Sequence, residues 1–206
     1  AGYKSPNGIP VLIGLEDISL SNDDLKALCA AFGTTSASPM LHIKGHTPEG
    51  ELPSTQDAIS TTIMPNDLLN LWQNFNTGNN KIDLVAIGSP HASTAECMKF
   101  LKLLLEKNQT VIVPTILTVG RETLGKLRDQ GNLNQLSKLG VQVVPDICWC
   151  SITEPVFPSK TQSLITNSGK YAHYGEGLTG RNIRFGSLGD CAMAALSGYV
   201  NNELPN

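Results

Sequence analysis

The sequence predicts an α/β fold in which a mostly parallel sheet is flanked by helices, a Rossmann-like arrangement. Short continuous apolar runs such as IDLVAIG (82–88) are typical of strands buried on both faces of a sheet. Amphipathic stretches of about ten to fifteen residues separate these runs, which favours right-handed crossovers between parallel strands. The 206 residues are 40% hydrophobic, enough for one large domain or for one lobe of something larger.

Six segments are predicted to be strands, because apolar and β-branched residues run through them between turn residues. They are 8–14, 38–43, 82–88, 110–116, 141–146 and 162–166. The segments 8–14, 82–88 and 110–114 are expected to be buried on both faces.

Helices are predicted where a capping residue precedes apolar positions repeated at helical spacing. The predicted helices are 21–32, 65–75, 93–107, 122–131, 132–140 and 187–200, and a helical turn is predicted over SGKYAHY (168–174). Ser93 and Glu96 form the pattern of a capping box, and Pro65 suits a first helical turn. The Pro-rich stretch 151–161 is expected to leave the sheet.

Composition excludes several classes of function. The 15 basic and 18 acidic residues give a net charge of −3, so no clustered positive surface for nucleic acid is expected. No apolar run approaches the roughly 20 residues of a membrane helix. Aromatic residues make up only 5%, which argues against an aromatic platform for carbohydrate or RNA. The first residues do not resemble a secretion signal, which predicts a cytoplasmic protein.

Polar residues gather after each predicted strand, where open parallel sheets bind ligands. The clusters are 14–17, 42–49, 88–93, Thr115 with Thr118, 146–150 and 166–170. Parallel strands would place all six clusters on one carboxyl edge and form an active site there. The alternative is that turns and helix caps account for them. That alternative explains Ser93 and Ser168 well, but it explains His46, His91, Cys148 and Lys170 poorly.

The segment 166–170 (TNSGK) combines hydroxyl and amide side chains with a helix start and a lysine. Free backbone N–H groups at a helix start attract a carboxylate or phosphate, and Lys170 adds a cation. The segment does not match a P-loop, and the GEGLTG stretch (175–180) follows a helix instead of a strand. No nucleotide cofactor is therefore predicted.

The five cysteines are too few, and odd in number, for a disulfide framework. Cys29 and Cys97 lie in helical patterns and are expected to be packed thiols. Cys148 and Cys150 are closer together than the usual zinc pair, so an incidental pair is one interpretation. With Cys191 they provide three thiols, which could instead anchor an iron–sulfur cluster or a single iron. No HExxH or GxSxG motif is present, which argues against a zinc protease or a serine hydrolase.

Five segments carry a resemblance to a known family. They are HIKGHTPEG (42–50), IDLVAIGSPHASTAE (82–96), VVPDICWCSITEPV (143–156), TNSGKYAHYGEGLTG (166–180) and FGSLGDCAMAALSG (185–198). Together they resemble the aconitase X family, in family order across nearly the whole chain. The segment CWCSITEPVFP (148–158) most resembles the family members associated with cis-3-hydroxy-L-proline dehydratase. The archaeal relatives act on mevalonate 5-phosphate instead.

The resemblance implies a hydro-lyase that converts cis-3-hydroxy-L-proline to a pyrroline-2-carboxylate. An iron or iron–sulfur centre, [2Fe–2S] or mononuclear, would act as Lewis acid on the departing hydroxyl group. The family pattern points to Cys148 and Cys191 as its ligands, with Cys150 as the substitute if the register slips by two. A mevalonate 5-phosphate dehydratase is the first alternative, and a non-catalytic small-molecule-binding lobe is the second.

The resemblance also implies roles for residues along the predicted carboxyl edge. Ser168 is the first choice for the catalytic base, and Lys170 is its expected catalytic partner. The residues expected to bind the carboxylate substrate are His46, Thr47, Ser89, His91, Thr166 and Asn167.

Residues 1–206 are expected to form a single catalytic lobe of aconitase type. The lobe would correspond to the C-terminal half of the family's large domain. The N-terminal half of that domain and a small swivelling domain would then be its partners.

Overall fold

The computed structural model describes residues 1–38, 40–51 and 57–201. The chain divides into two compact units, Ala1–Leu69 and Asn70–Asn206. The single catalytic lobe expected over residues 1–206 stays a prediction.

The first unit contains a two-stranded parallel sheet and a helix. Strand β1 (Val11–Leu12) pairs with β2 (His42–Ile43), and helix α1 (Asn22–Phe32) lies between them in sequence. Ser21 and Asp24 close α1 with a capping box, because each side chain bonds the other's backbone N–H.

The prediction of a doubly buried strand over 8–14 is wrong. Only two of its residues are in a strand, and Ile13 is 66% exposed. The reason is that a two-residue ladder with one neighbouring strand cannot enclose the segment on both faces. The strand expected over 38–43 is likewise confined to His42–Ile43, and Pro39 lies outside the described residues.

The second unit is built on a five-stranded parallel sheet. Helix α2 (Pro65–Asn74) begins in the first unit and ends in the second. The elements that follow it are β3 (Leu84–Ala92), α3 (Thr94–Lys107), β4 (Thr115–Val119), α4 (Arg121–Asp129), α5 (Asn132–Lys138), β5 (Val141–Pro145), β6 (Ser163–Thr166), α6 (Gly169–Thr179), β7 (Asn182–Phe185) and α7 (Leu188–Ser197). The strand order is β5-β4-β3-β6-β7, so the chain winds outward from β3 in one direction and then in the other. This doubly wound parallel sheet confirms the predicted α/β, Rossmann-like fold.

The strands differ from the predicted ones in three places. Strand β3 continues to Ala92, and β4 begins at Thr115 instead of residue 110. Ile112, inside the predicted strand, is 68% exposed. Strand β7 was not predicted at all, because its four residues, NIRF, mix polar and apolar side chains over too short a stretch to show a period.

Alternate side chains of β3 enter two apolar clusters, one on each face of the sheet. The first cluster contains Val85 and Ile87 and is covered by α3, α5 and α7. The second cluster contains Leu84 and Ala86, and side chains from α6 and from the segment after β5 pack on it. The Pro-rich stretch 151–161 contributes Ile152 and Phe157 to the second cluster, so it leaves the sheet but still covers one face of it.

None of the helices in the described part of the chain is both long and apolar enough to cross a membrane.

Gly88 allows β3 to approach β4 closely. Its φ is +103°, and a Cβ atom at this position would collide with the backbone oxygen of Thr118. We expect Gly88→Ala to lower the free energy of unfolding by at least about 2 kcal/mol, because both the backbone conformation and the packing oppose a side chain. Urea denaturation measures this loss.

Gly125→Ala is the matched control. Gly125 lies inside α4 with no atom in the way of a Cβ, so the same change should raise the free energy of unfolding by about 0.5–1 kcal/mol. Equal effects at the two glycines would contradict the close approach at Gly88.

Candidate functional site

The carboxyl edge of the five-stranded sheet brings three of the predicted polar clusters together: 88–93, 146–150 and 166–170. Thr115 and Thr118 lie inside β4 instead of after it. The clusters 14–17 and 42–49 follow strands of the two-stranded sheet in the first unit. The prediction of one edge with six clusters is therefore wrong, because the six strands do not form one sheet.

The switch point of the sheet lies between β3 and β6, where the chain reverses its winding direction. Open α/β sheets bind their ligands at this position, beyond the carboxyl ends of the strands. Ser89 on β3 and Ser168 after β6 meet here, and the Ser168 hydroxyl donates a hydrogen bond to the backbone oxygen of Ser89. The candidate site is built around this contact.

Three consecutive carbonyl groups of β3 each accept a hydrogen bond from a different segment. The indole Nε1 of Trp149 donates to the oxygen of Ile87 over 2.9 Å, and the Thr118 hydroxyl donates to that of Gly88 over 2.7 Å. Ser168 donates to the third, that of Ser89. The end of β3 therefore holds the segment after β5, strand β4 and the start of α6 in fixed positions.

Three further hydrogen bonds fix the segment 146–150. The ring Nε2 of His91 lies 3.1 Å from the backbone oxygen of Ile147, and Asp146 binds both the backbone N–H and the Nε of Arg121. The hydrogen bond from the Arg121 side chain holds the pKa of Asp146 below its ordinary value. His91 thus contributes to the site as a contact to the backbone of a neighbouring loop.

The start of α6 is an anion-binding arrangement. Ser168 caps the helix, since its hydroxyl accepts from the backbone N–H of Tyr171 over 3.0 Å, and the Thr166 hydroxyl accepts from the N–H of Ser168. The N–H groups of Gly169 and Lys170 lie in the first turn, where no helical partner exists. Together with the positive end of the helix and the partly buried Lys170, they suit a carboxylate.

Three buried polar atoms near this helix start have no hydrogen-bond partner within the described residues. They are the Ser89 hydroxyl, the side-chain oxygen of Asn167 and the Tyr171 hydroxyl. Burying a polar group without a partner is costly, so such atoms point to a ligand or to a further chain segment. They come from β3, the β6–α6 connection and α6, which all end or begin at the switch point.

Cys148 and Cys150 are neighbours beside this site. Burial raises the pKa of the Cys150 thiol, the nearby Cys148 raises it further, and the charge of Lys170 opposes the rise. Two soft sulfur donors next to a cation fit a thiolate-bound metal as part of its ligand set. They are not a complete set, because the described residues contain no group of three or more His, Cys, Asp and Glu side chains that could hold a metal ion.

Cys191 does not lie next to Cys148 and Cys150. It is fully buried in the first apolar cluster, whereas Cys150 packs against the second, on the other face of the sheet. Burial and the neighbouring Asp190 raise the pKa of its thiol well above the ordinary value. Of the two cysteines expected to be packed thiols, Cys97 is buried as expected, while Cys29 is exposed on α1, so that prediction is wrong for Cys29.

His46 and Thr47 lie in the first unit, where both have local partners. The His46 ring binds the backbone oxygen of Leu15 over 2.7 Å, and the Thr47 hydroxyl bonds both the N–H and the oxygen of Ile43. The Thr47 bonds close the turn after β2, and the His46 bond links this turn to the segment after β1. Their role in substrate binding stays a prediction.

Trp149 and Tyr171 are part of the site, but sequence reasoning did not select them. The tryptophan and tyrosine rings pack in the second cluster with centroids 5.5 Å apart and planes tilted by 38°. In the sequence they are indistinguishable from ordinary core aromatics. Thr118 was selected only as a polar residue after a strand, not as a donor to Gly88. Only the position of Trp149 between two cysteines offered a signal.

The fold and the site define a doubly wound α/β protein with a helix start suited to an anion and a pair of cysteines at the switch point of its sheet. Comparison with known sequences then identifies the family. The model of the aconitase X third domain matches residues 82–197, and that of the aconitase X second domain matches residues 1–73. The chain belongs to the aconitase X family, as the sequence resemblance predicted.

Proteins of known name are similar over nearly all of this chain. Cis-3-hydroxy-L-proline dehydratase of Hypocrea jecorina is 40% identical over 99% of the chain, and that of Pseudomonas aeruginosa is 36% identical over 99%. The phosphomevalonate dehydratase large subunit of Thermococcus kodakarensis is 29% identical over 73% of the chain. The matched part is 35%, 36% and 38% of these relatives, so the chain spans little more than a third of their length.

A solved structure supports the fold as well. A crystal structure of Thermococcus kodakaraensis aconitase X in its holo-form superposes with a TM-score of 0.81 at 25% identity. The match covers 94% of this chain and 49% of that one.

Ser168 is central to the site, and we expect Ser168→Ala to lower the free energy of unfolding by about 1–2 kcal/mol. The substitution removes the cap of α6 and the bond to β3 together. Thermal or urea denaturation measures the loss. Ser137→Ala on the exposed surface of α5 is the control, with a change within about 0.5 kcal/mol. Equal results for the two variants would mean that Ser168 does not hold the switch point together.

Proposed function

We propose that this chain forms part of the active site of a hydro-lyase that dehydrates cis-3-hydroxy-L-proline to a pyrroline-2-carboxylate. The observation that carries the proposal is the carboxylate-binding start of α6 beside the thiol pair Cys148 and Cys150. The names of the relatives that are 40% and 36% identical supply the substrate.

The chain's own residues suggest how the substrate is held. The N–H groups of Gly169 and Lys170 and the Lys170 ammonium group bind the carboxylate. Such charge-assisted hydrogen bonds fix the ring and lower the barrier to loss of the α-proton, since they stabilise the negative charge that develops on the carboxylate. The unpartnered oxygens of Ser89 and Asn167 are available to the polar groups of the ring.

Ser168 acts in this proposal by positioning. Its hydrogen is donated to a backbone carbonyl, and its oxygen accepts from the N–H of Tyr171. A hydroxyl held in this way orients the helix start and the Lys170 backbone, whereas a base must first lose its own proton. The geometry therefore supports a capping role for Ser168 more than the role of catalytic base that the family resemblance implies.

Cys148 and Cys150 are the residues that would hold iron in this part of the protein. When bound, an iron or [2Fe–2S] centre supplies a Lewis acid for the departing hydroxide. The placement of Cys191 in the opposite cluster favours Cys150 as the second thiol. Further ligands are needed beyond this pair.

The rest of the site is proposed to come from the other segments that the relatives possess. The N-terminal half of the large domain and the small swivelling domain are the proposed partners, in line with a match of about a third of each relative. We also propose the cytoplasm as the compartment, because all five cysteines lie in the described residues and no disulfide joins them.

A phosphomevalonate dehydratase activity is the second candidate. The lower identity of 29% to that relative makes it the weaker of the two. Both substrates carry a carboxylate, so the start of α6 fits either, and the two are separated by assaying each with the same preparation.

Lys170→Met tests the carboxylate site. We expect kcat/KM for cis-3-hydroxy-L-proline to fall roughly tenfold or more, because a charged hydrogen bond contributes roughly 1.5–3 kcal/mol. Lys102→Met and Lys107→Met on the exposed surface of α3 are the controls and should change little. The assay uses the chain combined with the segments that its relatives add. Similar small effects at all three lysines would refute the assignment.

A second test uses the 206-residue chain by itself. The second unit has its own two-sided core, so the chain should fold and show cooperative unfolding. We expect no dehydration of cis-3-hydroxy-L-proline until the missing segments are added, because aligning the reacting groups supplies about 7–11 kcal/mol of the barrier reduction. Steady-state turnover by the chain alone, with iron present, would contradict this division of the site.

A further inference from the structure

A cavity of about 770 Å³ lies at the amino edge of the five-stranded sheet. Its walls include residues that directly precede three of the strands: Ile82 and Asp83 before β3, Pro114 before β4 and Thr161 before β6. Because the strands are parallel, this edge is opposite the carboxyl edge on which the candidate site lies. Small-molecule sites typically have volumes of about 300–1,000 Å³, so the cavity is large enough to hold a ligand.

Hydrogen bonds within the chain fix the walls of this cavity. The backbone N–H of Ile82 donates to the oxygen of Gly198 over 2.8 Å. The Asp83 carboxylate accepts from the N–H groups of Gln162 and Ser163 over 3.1 and 3.2 Å. The cavity is therefore formed before any ligand binds, and one of its carboxylates is held in place.

The lining of the cavity combines apolar walls with charges of both signs. The apolar walls contain aliphatic side chains and proline rings, namely Ile82, Val113, Pro114, Pro155 and Pro158. The charged groups are two ammonium groups and two carboxylates, those of Lys81, Lys160, Asp83 and Glu154. Within the described residues, no ion pair joins any of these four charges to another charged group. Equal numbers of both charges beside apolar walls suit a ligand that carries both charges and an apolar body.

Thr161 gives a second, independent indication of a ligand. The residue lines the cavity and is 2% exposed, and its hydroxyl has no hydrogen-bond partner within the described residues. A buried hydroxyl without a partner is unfavourable, and valine would fill nearly the same volume without that cost. The wall of the cavity thus holds a polar group that the fold of the chain does not require.

We propose that the cavity at the amino edge binds a zwitterionic amino acid with a large apolar side chain. Asp83 and Glu154 bind its ammonium group. Lys81 and Lys160 bind its carboxylate, and the aliphatic and proline walls enclose its side chain. The side chain must be large, because a small amino acid would leave most of the cavity unfilled. This site is separate from the proposed hydro-lyase site and does not depend on that reaction.

L-phenylalanine added to the isotope-labelled 206-residue chain tests the proposal by nuclear magnetic resonance. We expect saturable binding with a Kd on the order of millimolar and shifted amide signals at Asp83, Thr161 and Gly198. Phenylpropionate lacks the ammonium group and phenylethylamine lacks the carboxylate, so each should bind at least about tenfold more weakly. L-alanine lacks the large apolar side chain and should also bind more weakly.

Substitutions in the cavity test the two charged contacts. Lys160→Met and Asp83→Asn should each weaken L-phenylalanine binding roughly tenfold, because each removes a charge-assisted hydrogen bond. Lys102→Met on α3 and Asp129→Asn on α4 make the same changes at exposed positions outside the cavity and should leave the affinity unchanged. Since Asp83 also binds backbone N–H groups, Glu154→Gln at an exposed position is the second carboxylate variant and should weaken binding in the same direction.

The stability of Thr161→Val gives a readout that needs no ligand. Removing a buried hydroxyl without a partner should leave the melting temperature unchanged or raise it. A lower melting temperature would show that the hydroxyl has a structural partner, and would contradict its assignment to a ligand.

Three binding results would overturn the proposal: no saturable binding of L-phenylalanine, equal affinity for its singly charged analogues, or equal effects of the cavity and control substitutions. Amide shifts confined to Gly169 and Lys170 would also overturn it, and would support the carboxylate site at α6 instead. If Lys170→Met leaves turnover of cis-3-hydroxy-L-proline unchanged, the proposed carboxylate site is wrong, but the binding results for the cavity stand.

Discussion

The end of β3 is the constraint on which the rest of the site depends. Ile87, Gly88 and Ser89 each offer a carbonyl oxygen, and each oxygen receives a side-chain donor from a different segment. Strand β6 pairs with β3 only as far as Ala86, and the register between β3 and β4 shifts between Ile87 and Ala92, so regular strand pairing is interrupted at these carbonyls. The side chains of Trp149, Thr118 and Ser168 donate to these carbonyls and so form a frame that fixes their segments at the switch point of the sheet.

The frame explains why some polar groups of the site are satisfied and others are not. The groups that support the site bond backbone atoms: Trp149, Thr118 and Ser168. The groups that face the site, Ser89, Asn167 and Tyr171, end in atoms without a partner in the described residues. A buried polar atom without a partner is unfavourable to folding, and a bound molecule can compensate for it. This division separates the polar groups that hold the segments of the site together from those that have no partner in the described residues.

The five cysteines show that residue type alone does not determine the role of a side chain. No disulfide joins any of the five cysteines, yet their environments differ. Cys29 is exposed on a helix, Cys97 and Cys191 fill the first cluster, and only Cys148 and Cys150 lie beside a cation and a helix start. Soft-metal chemistry needs several thiols in one place, and here a single sheet separates Cys191 from the pair.

Interactions between residues close in the chain determine many of the helices and strands, and these could be predicted from the sequence. The capping box of Ser93 and Glu96, the apolar strands β3 and β5, and the helix start after β6 were all predictable, because capping, periodicity and turn chemistry act between residues close in the chain. The family resemblance also came from such contiguous segments. In the same way, Lys170 could be selected because it lies two residues after the helix cap Ser168.

Only the tertiary structure decided which of those elements meet. It assigned the first two strands to a separate sheet, placed Cys191 on the face opposite Cys150, and turned Trp149, Thr118 and Ser168 toward three adjacent carbonyls. These outcomes depend on strand order and on which face of a sheet a side chain enters. Both are set by packing between segments far apart in sequence, as with Trp149 and Ile87, and no local pattern along the chain encodes such pairings.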